Sequence, residues 1–521
     1  MAVLLAEAVT DRPDAVAVVD ARGTTTWHEL DQRVDRLVHA LRDRDLEVGD
    51  SVVAMLGNQS ELVELSLACL HGGWLLVPVN WHWVVDEVAY VLDDADAAAV
   101  IVDHRWIDVM ASACEAANVS LPPVRILVGG DAAGFEPYES ILASDRSDEP
   151  TDPQRGGPMF YTSGTTGRPK GVRTAIATVG GPPEVFTLIA HSLAPLIDLP
   201  LHGGGVQVIC GPLYHSAQWM FAMTAISCGS MLVLQHRFDA DELLSLIDEH
   251  GATNLHLVPT QMRRLLDLPD TRRHGFEGSS LRAILHGAAP CPPDVKRRCI
   301  AWFGPIVTEY YGGTEGGFLA LLSAEEWLAR PGSVGRPVST VEITAIGSDG
   351  QELAAGVAGD LYFRSLMGND FEYHKAPEKT SSAHLASGWG TLGDIGYFDA
   401  DGYLYLSDRK VDMIVSGGVN IYPAEIEGVL VEHPAVADVA VFGIPDDEMG
   451  EQVRAAVELH AGRDWSDELQ AELMALSRER LAGYKCPRTF EVHPSLPRSE
   501  AGKLQKAALR DPHWADRSTR I

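Results

Sequence analysis

Between Tyr161 and Gly171 the chain reads Tyr-Thr-Ser-Gly-Thr-Thr-Gly-Arg-Pro-Lys-Gly, with the hydroxyl residues Ser163, Thr165 and Thr166 interleaved with Gly164, Gly167 and Gly171. Glycines let the backbone pass through positive φ so that successive N–H groups converge, the hydroxyls add donors, and Lys170 adds a point charge. Such a set suits a phosphate. The spacing is not that of a Walker A loop, because Pro169 separates Arg168 from Lys170 and Gly171 stands where that motif needs Ser or Thr. A plain Ser/Thr/Gly surface loop has the same composition, so the stretch alone leaves both readings open. A second candidate is Glu309-Tyr-Tyr-Gly-Gly-Thr-Glu315. There Tyr311 can stack on a purine, Thr314 can donate to a phosphate, and Glu315 offers a hard oxygen to Mg²⁺. By itself it also reads as a turn with a satisfied carboxylate.

Strands must deliver these segments. Pro158–Tyr161 reads as a short buried strand, Gln207–Cys210 as another that leads to Gly211-Pro-Leu-Tyr-His-Ser216, and Leu281–Leu285 as a third that leads to His286-Gly-Ala-Ala-Pro290. In open α/β sheets ligands bind beyond the carboxyl ends of the strands, which puts His215 at the rim. A histidine there is also compatible with a purely structural role. The small residues Gly287, Ala288 and Ala289 let a flat ring approach the backbone. Upstream, strands at 15–19, 51–56, 74–78 and 98–103 alternate with helices after the Thr26/Glu29 capping box and at 60–71 and 84–93. This alternation predicts parallel α/β sheets. The Gly/Asp/Ser/Pro-rich segment 130–157 reads as a loop, and Asp401-Gly402 as the turn of a hairpin. Beyond it, a helix with Pro423 in its first turn, strands at 436–443 and 453–459 and a helix at 466–482 make a compact α+β unit.

At 521 residues the chain exceeds one comfortable core, so at least two domains are expected. A balance of 41 basic against 73 acidic residues gives −32, which disfavours nucleic acid and anionic membrane and leaves phosphate ligands dependent on local positive charge. The seven cysteines are scattered, form no C-x-x-C, and fit a reducing cytoplasm without a zinc site or disulfide framework. The first residues lack a basic, apolar leader, and no run reaches the ~18 apolar residues of a membrane span.

The string 161–171 resembles, nearly letter for letter, the AMP-binding signature of the adenylate-forming superfamily of acyl-CoA synthetases, luciferases and peptide-synthetase adenylation domains. Tyr311-Gly312-Gly313-Thr314-Glu315 resembles its Tyr-Gly-x-Thr-Glu motif, and Pro497-Arg498-Ser-Glu-Ala-Gly-Lys503 resembles the frame of its catalytic lysine. The resemblance implies a large N-terminal domain of α/β subdomains, 1–408, and a small mobile α+β C-terminal domain, 409–521. It implies that Thr162, Ser163, Gly164, Thr165, Thr166, Gly167 and Lys170 hold phosphates, and that Gly287, Ala288, Ala289 and Tyr310 to Thr314 surround the nucleotide. Asp394 and Arg409 would take the ribose, Glu315 with Thr162 the Mg²⁺, Lys503 the reacting acid and phosphate, His215 the gate of the acid site, and Gly417 and Gly418 the pantetheine arm of coenzyme A. The hinge falls loosely at 408–412, where Val411 stands in place of the usual polar residue.

The activity so implied is ATP-dependent acyl-CoA ligation: acid and ATP give acyl-AMP and pyrophosphate, then coenzyme A displaces AMP. Partners would be small molecules, with no nucleic acid and no integral membrane association, and a homodimer is compatible. Gln218, Trp219 and Ala222 after His215 are expected along one wall of the acid pocket, with Gly312-Gly313 and Gly316-Gly317 along the other. Tyr214-His215 stands where amino-acid-activating relatives carry Phe-Asp, and Gly312 leaves room where acetate-specific relatives place Trp. A neutral apolar tail is therefore expected, on a medium or long aliphatic acid or a bulky ring-bearing acid. Adenylation for a separate carrier protein, or non-catalytic nucleotide binding, are the alternatives.

Overall fold

The computed structural model describes residues 3–117, 122–144, 146–162, 169–409, 412–416, 419–446, 449–481, 483–498 and 504–515. Strands Ser51–Met55, Leu75–Pro78, Ala97–Asp103 and Val124–Val128 pair in parallel within one six-stranded sheet. Their apolar runs, fully buried along Ser51–Met55, suit a sheet covered on both faces. Thr26 caps helix Trp27–Arg42 as expected, accepting from the Glu29 N–H while the Glu29 carboxylate accepts from the Thr26 N–H.

A second sheet carries the site. Strands β1 (Val206–Ile209), β2 (Asn254–Leu257), β3 (Ala283–His286) and β4 (Val307–Gly313) run parallel and adjacent. Helix α1 (Ser216–Ser227) follows β1, and helix α2 (Pro293–Phe303) follows β3. At Gly313 the chain doubles back into β5 (Gly317–Leu322), and from there the pairing is antiparallel through β6 (Asp394–Phe398) and β7 (Leu404–Arg409). The all-parallel expectation thus holds for the first part of this sheet only. Crossover helices sustain parallel pairing, and the tight β4–β5 hairpin cannot.

Phe160–Thr162 and Lys170–Arg173 form an antiparallel hairpin, flanked on one side by Glu372–Tyr373. Beyond residues 163–168, which lie outside the described residues, the chain continues as the strand Lys170–Arg173. The segment 130–157 is mostly irregular, with a short helical turn at Tyr138–Ile141.

Strand β7 ends at Arg409, and a separate small sheet begins at Ile414–Ser416 and includes Val436–Asp446, Gly450–Leu459 and Thr489–His493. It has its own core, in which Ile414, Ile421, Ile426, Leu430, Val441, Val457 and Leu473 are buried, the mark of an independently packed unit. The Arg263 guanidinium crosses between the two units and donates to the Ala437 carbonyl at 2.8 Å.

Candidate active site

The β4–β5 hairpin gathers most of the chemistry. Tyr311 and Asp394, far apart in sequence, meet because β6 lies in the same sheet: the Tyr311 hydroxyl donates to Asp394 Oδ2 at 2.7 Å, and both residues are buried. Arg409 pairs with Asp394 across the β6–β7 ladder. The ribose residues implied by the sequence are thus register partners, and Tyr311 is bonded to the first of them. On the phosphate side, the Tyr373 hydroxyl donates to Glu315 Oε1 at 3.1 Å, and the Lys170 ammonium lies 5.0 Å from the Tyr373 ring centroid. Thr162 is the register partner of Lys170. Burial pushes the Lys170 pKa down, Lys379 adds to that push, and Glu315 opposes it. Anionic phosphate beside the ammonium would offset both contributions by favouring its charged form.

Tyr373 was not singled out from the sequence. Its signal is an aromatic flanked by His374 and Lys375 on an edge strand beside the hairpin, legible only once the pairing of Glu372–Tyr373 with Lys170–Arg173 is known. Among the described residues no cluster of three or more His, Cys, Asp or Glu side chains could hold a metal. Glu315 by itself fits Mg²⁺, because that ion is held by one or two carboxylates together with substrate phosphates and water.

The adenine turn is built tightly. A Cβ on Gly287 would stand 2.7 Å from the Tyr310 ring and carbonyl, so only glycine fits there, and Ala288 holds φ +66, a left-handed conformation uncommon for alanine. Ala288 and Ala289 remain partly exposed. Immediately behind the turn, His286 is fully buried with neither ring nitrogen hydrogen-bonded among the described residues, and burial pushes its pKa well down. Glu309 lies in register with His286 and is bonded to the buried Lys296 of α2, whose ammonium lies 5.0 Å from the Trp327 ring centroid. Burial raises the Glu309 pKa and lowers that of Lys296, each partly offset by the other.

Tyr310 and Tyr311 are neighbours on a strand and so point to opposite faces. Tyr310 belongs with α1: its hydroxyl is 3.0 Å from His256 Nε2, and its ring packs on Phe318 at 4.8 Å and near Phe221 at 6.2 Å. Of the two tyrosines expected around the nucleotide, Tyr311 bonds to Asp394, whereas Tyr310 turns its hydroxyl to the other face while its ring and carbonyl back the Gly287 turn. His215 precedes the first turn of α1, half-buried, with its ring 4.5 Å from that of Tyr214. One residue on, Ser216 Oγ is 2.9 Å from Thr314 Oγ1, which ties the start of α1 to the nucleotide motif.

Two residues expected along the acid wall are closely packed. Trp219 is 1% exposed and faces the core, where its indole donates to Ser66 Oγ at 2.9 Å and its ring meets Phe160 and Phe186. Ala217, Met220 and Phe318 keep partial exposure, as do His215 and Ser216 at the start of α1. At Gly312 a Cβ would stand 1.9 Å from the Gly317 carbonyl, so the space expected from its missing side chain is filled by backbone. The register shift between Tyr311 and Gly312 brings that carbonyl close. Ser163, Gly164, Thr165, Thr166, Gly167, Gly417, Gly418 and Lys503 lie outside the described residues.

Compared with known families, residues 5–367 match the AMP-binding enzyme model and residues 425–503 match the AMP-binding enzyme C-terminal domain. The chain belongs to the AMP-binding enzyme family. Within this family, the fatty acid–[acyl-carrier-protein] ligase ScoC of Streptomyces coeruleorubidus is 31% identical, covering 98% of this chain and 95% of that protein. Feruloyl-CoA synthase of an Amycolatopsis species is 32% identical, covering 96% of each. The solved amide bond synthetase McbA of Marinactinospora thermotolerans matches with a TM-score of 0.82 at 29% identity, covering 98% of this chain and 99% of that one. The α/β architecture with a small second unit is that of the AMP-binding enzymes.

Proposed function

We propose that this AMP-binding enzyme activates a bulky, ring-bearing carboxylic acid and passes the acyl group to coenzyme A. The chain is an AMP-forming acid–thiol ligase that uses ATP, Mg²⁺ and coenzyme A. The carrying observation is that one hairpin, 307–322, touches all three ligand regions: Tyr311 meets Asp394, Glu315 meets Tyr373 beside Lys170, and Thr314 meets Ser216 at the start of α1. Such convergence lets an acid carboxylate at α1 face the α-phosphorus of ATP.

In that arrangement Asp394 accepts from the ribose, Tyr311 holds Asp394 in place, and Lys170 and Thr314 take phosphate oxygens. Mg²⁺ held at Glu315 would neutralise charge on the departing pyrophosphate. Lys503, from the small domain, would bridge acid and phosphate in the adenylation step. A rotation near the 408/409 boundary would then withdraw it and admit the thiol past Gly417-Gly418. Of the two acid classes compatible with the sequence, the ring-bearing one is favoured because Phe221, Phe318 and Tyr310 crowd the far end of the region along which Ala217 and Met220 keep partial exposure. A long aliphatic chain needs an open tunnel there.

Transfer to a carrier protein or an amine is the second reading, favoured by the named activities of ScoC and McbA. No helix among the described residues is long and apolar enough to cross a membrane, and we assign the enzyme to the cytoplasm as part of this proposal. Pyrophosphate release, measured over a panel of aliphatic and aryl acids with and without coenzyme A, tests the function. Aryl acids should exceed acetate at least tenfold in kcat/KM, and thioester should form only with coenzyme A present. Turnover of acetate or free amino acids in preference would overturn the pocket reading.

A further inference from the structure

Strand Val436–Asp446 of the small unit opens with an irregularity. Val436 pairs with Leu459 and Asp438 with Glu458, so Ala437 is skipped in the register. A bulged residue is left out of the ladder, and its carbonyl needs a partner from elsewhere. That partner is Arg263, on helix Pro259–Leu266 of the large unit, whose Nη1 donates to the Ala437 oxygen at 2.8 Å. Asp267, one turn further along, steers the same guanidinium, with Oδ2 at 4.0 Å from Nε. The residues beside the bulge carry a second load. Asp438 Oδ2 accepts from Arg498 Nε at 3.1 Å, and its strand partner Glu458 accepts from the Leu496 N–H at 2.9 Å. Leu496 to Arg498 is the near side of the turn in which Lys503 falls. Its far side is fastened to it: the Gln505 N–H donates to the Pro497 carbonyl at 2.8 Å, and Leu504 pairs with Arg498. Residues 499–503 lie outside the described residues, but both ends of the turn are held.

We propose that Arg263 is a positioning residue of the adenylation step: its bond to the Ala437 carbonyl seats the small unit so that the turn anchored by Asp438 and Glu458 presents Lys503 to the acid and the α-phosphate. The proposal rests on the role given to Lys503 above and adds the group of the large unit that brings it into place. Three features support it. The grip of the large unit lands one residue from the side chain that anchors the lysine turn, so seating and presentation are coupled through two adjacent residues. The bulge frees a carbonyl at that point, and a carbonyl offers a directional acceptor that a flat apolar contact would lack. The partners of Arg263, Ala437 and Asp267, belong to neither the nucleotide motif nor the acid wall, so its influence on the chemistry passes through the small unit. A single charge-assisted bond favours one seating yet can be released when the small unit turns for the thioester step.

Arg263→Met keeps the apolar stem and removes the donor. The probe is the acid of the panel above that wild type turns over fastest, together with its acyl-adenylate. Single-turnover formation of acyl-AMP should slow roughly 10- to 100-fold in Arg263→Met, as expected when a catalytic group is misplaced from a distance. KM for ATP should stay unchanged, and supplied acyl-AMP with coenzyme A should give thioester at the wild-type rate, which also reports that the variant is folded. Arg263→Lys, which keeps a donor, should fall between the two. Because Arg263 acts through Lys503, adding Arg263→Met to Lys503→Ala should slow adenylation no further. An undiminished adenylation rate in Arg263→Met, a loss confined to the thioester step, an equal loss in both steps, or full additivity with Lys503→Ala overturns the proposal and leaves the role of Lys503 standing. Intact adenylation in Lys503→Ala overturns both.

Discussion

Removing the ammonium of Lys296 should expose how the nucleotide motif is supported from behind. Lys296 is fully buried, its only charged partner among the described residues is Glu309, and Glu309 lies on the strand that continues into Tyr310 and Tyr311 and leads to Thr314. Lys296→Met keeps the volume and leaves a buried carboxylate unpaired, which costs about 3–5 kcal/mol. With an unfolding entropy of ~2.1 cal/mol/K per residue over about 400 residues, that loss lowers Tm by roughly 4–6 °C. The double variant Lys296→Met with Glu309→Met replaces the pair by apolar groups and should return to within about 1 kcal/mol of wild type, since a buried pair gains little over packed hydrophobes. The pH dependence has a definite sign. Burial already raises the Glu309 pKa against the opposing ammonium, and without that ammonium it rises further. A carboxyl with a raised folded pKa binds its proton more tightly when folded, so the Lys296→Met deficit is smallest below the unfolded pKa of ~4.3 and grows as pH rises through the folded value. Calorimetry of the three proteins from pH 4 to pH 8 reads this directly. A single variant as stable as wild type at pH 8, or a double variant worse than the single, would refute the reasoning.

Lys503→Ala should slow pyrophosphate formation by at least ~10²-fold while supplied acyl-AMP and coenzyme A still give thioester; equal loss in both half-reactions would end the proposed division of labour. Glu315→Gln keeps the shape and the Tyr373 contact but removes the charge, so the half-saturating Mg²⁺ concentration should rise about tenfold, ~1.4 kcal/mol, and an unaltered Mg²⁺ titration would remove Glu315 from the metal site. Trp219→Phe forfeits the indole bond to Ser66 and should cost about 1 kcal/mol of stability with the order of acid preference unchanged; a reordered acid panel would return Trp219 to the pocket wall.

What the sequence disclosed follows a physical division. Phosphate, ribose and metal groups are recognised by a narrow set of residue types, so Lys170, Thr314, Glu315 and Asp394 could be named as candidates before the fold was known, through the resemblance of their strings to the family's motifs, and the structure brings Tyr311 to Asp394 and Tyr373 to Glu315. The acid pocket is different, because it depends on which way a side chain points. Helix α1 is apolar nearly all round and buried from Gln218 to Ser227 except at Met220, so no amphipathic stripe in the sequence marks the face toward the acid, and Trp219 and Met220 were equally eligible. Gly312 misled for a related reason: a missing side chain signals room only if nothing else fills it, and the Gly317 carbonyl does so through a bulge that no residue type announces.

The strongest unread signal was a polar residue in an apolar strand. A histidine amid Leu255 and Leu257 must be satisfied where it lies, because a buried polar side chain without partners is costly. That requirement alone calls for donors and acceptors on neighbouring elements, and Gln218 on α1 and Tyr310 on β4 supply them. The doubled tyrosine then has a physical purpose. Strand alternation sends Tyr311 to Asp394 on one face and Tyr310 to His256 on the other, so one strand bonds to the expected ribose residue and to the floor beneath α1 at once. A one-residue slip of β4 would exchange the two hydroxyls and disable both contacts, and the Lys296–Glu309 pair, which ties the residue just before them to α2, is placed to prevent it.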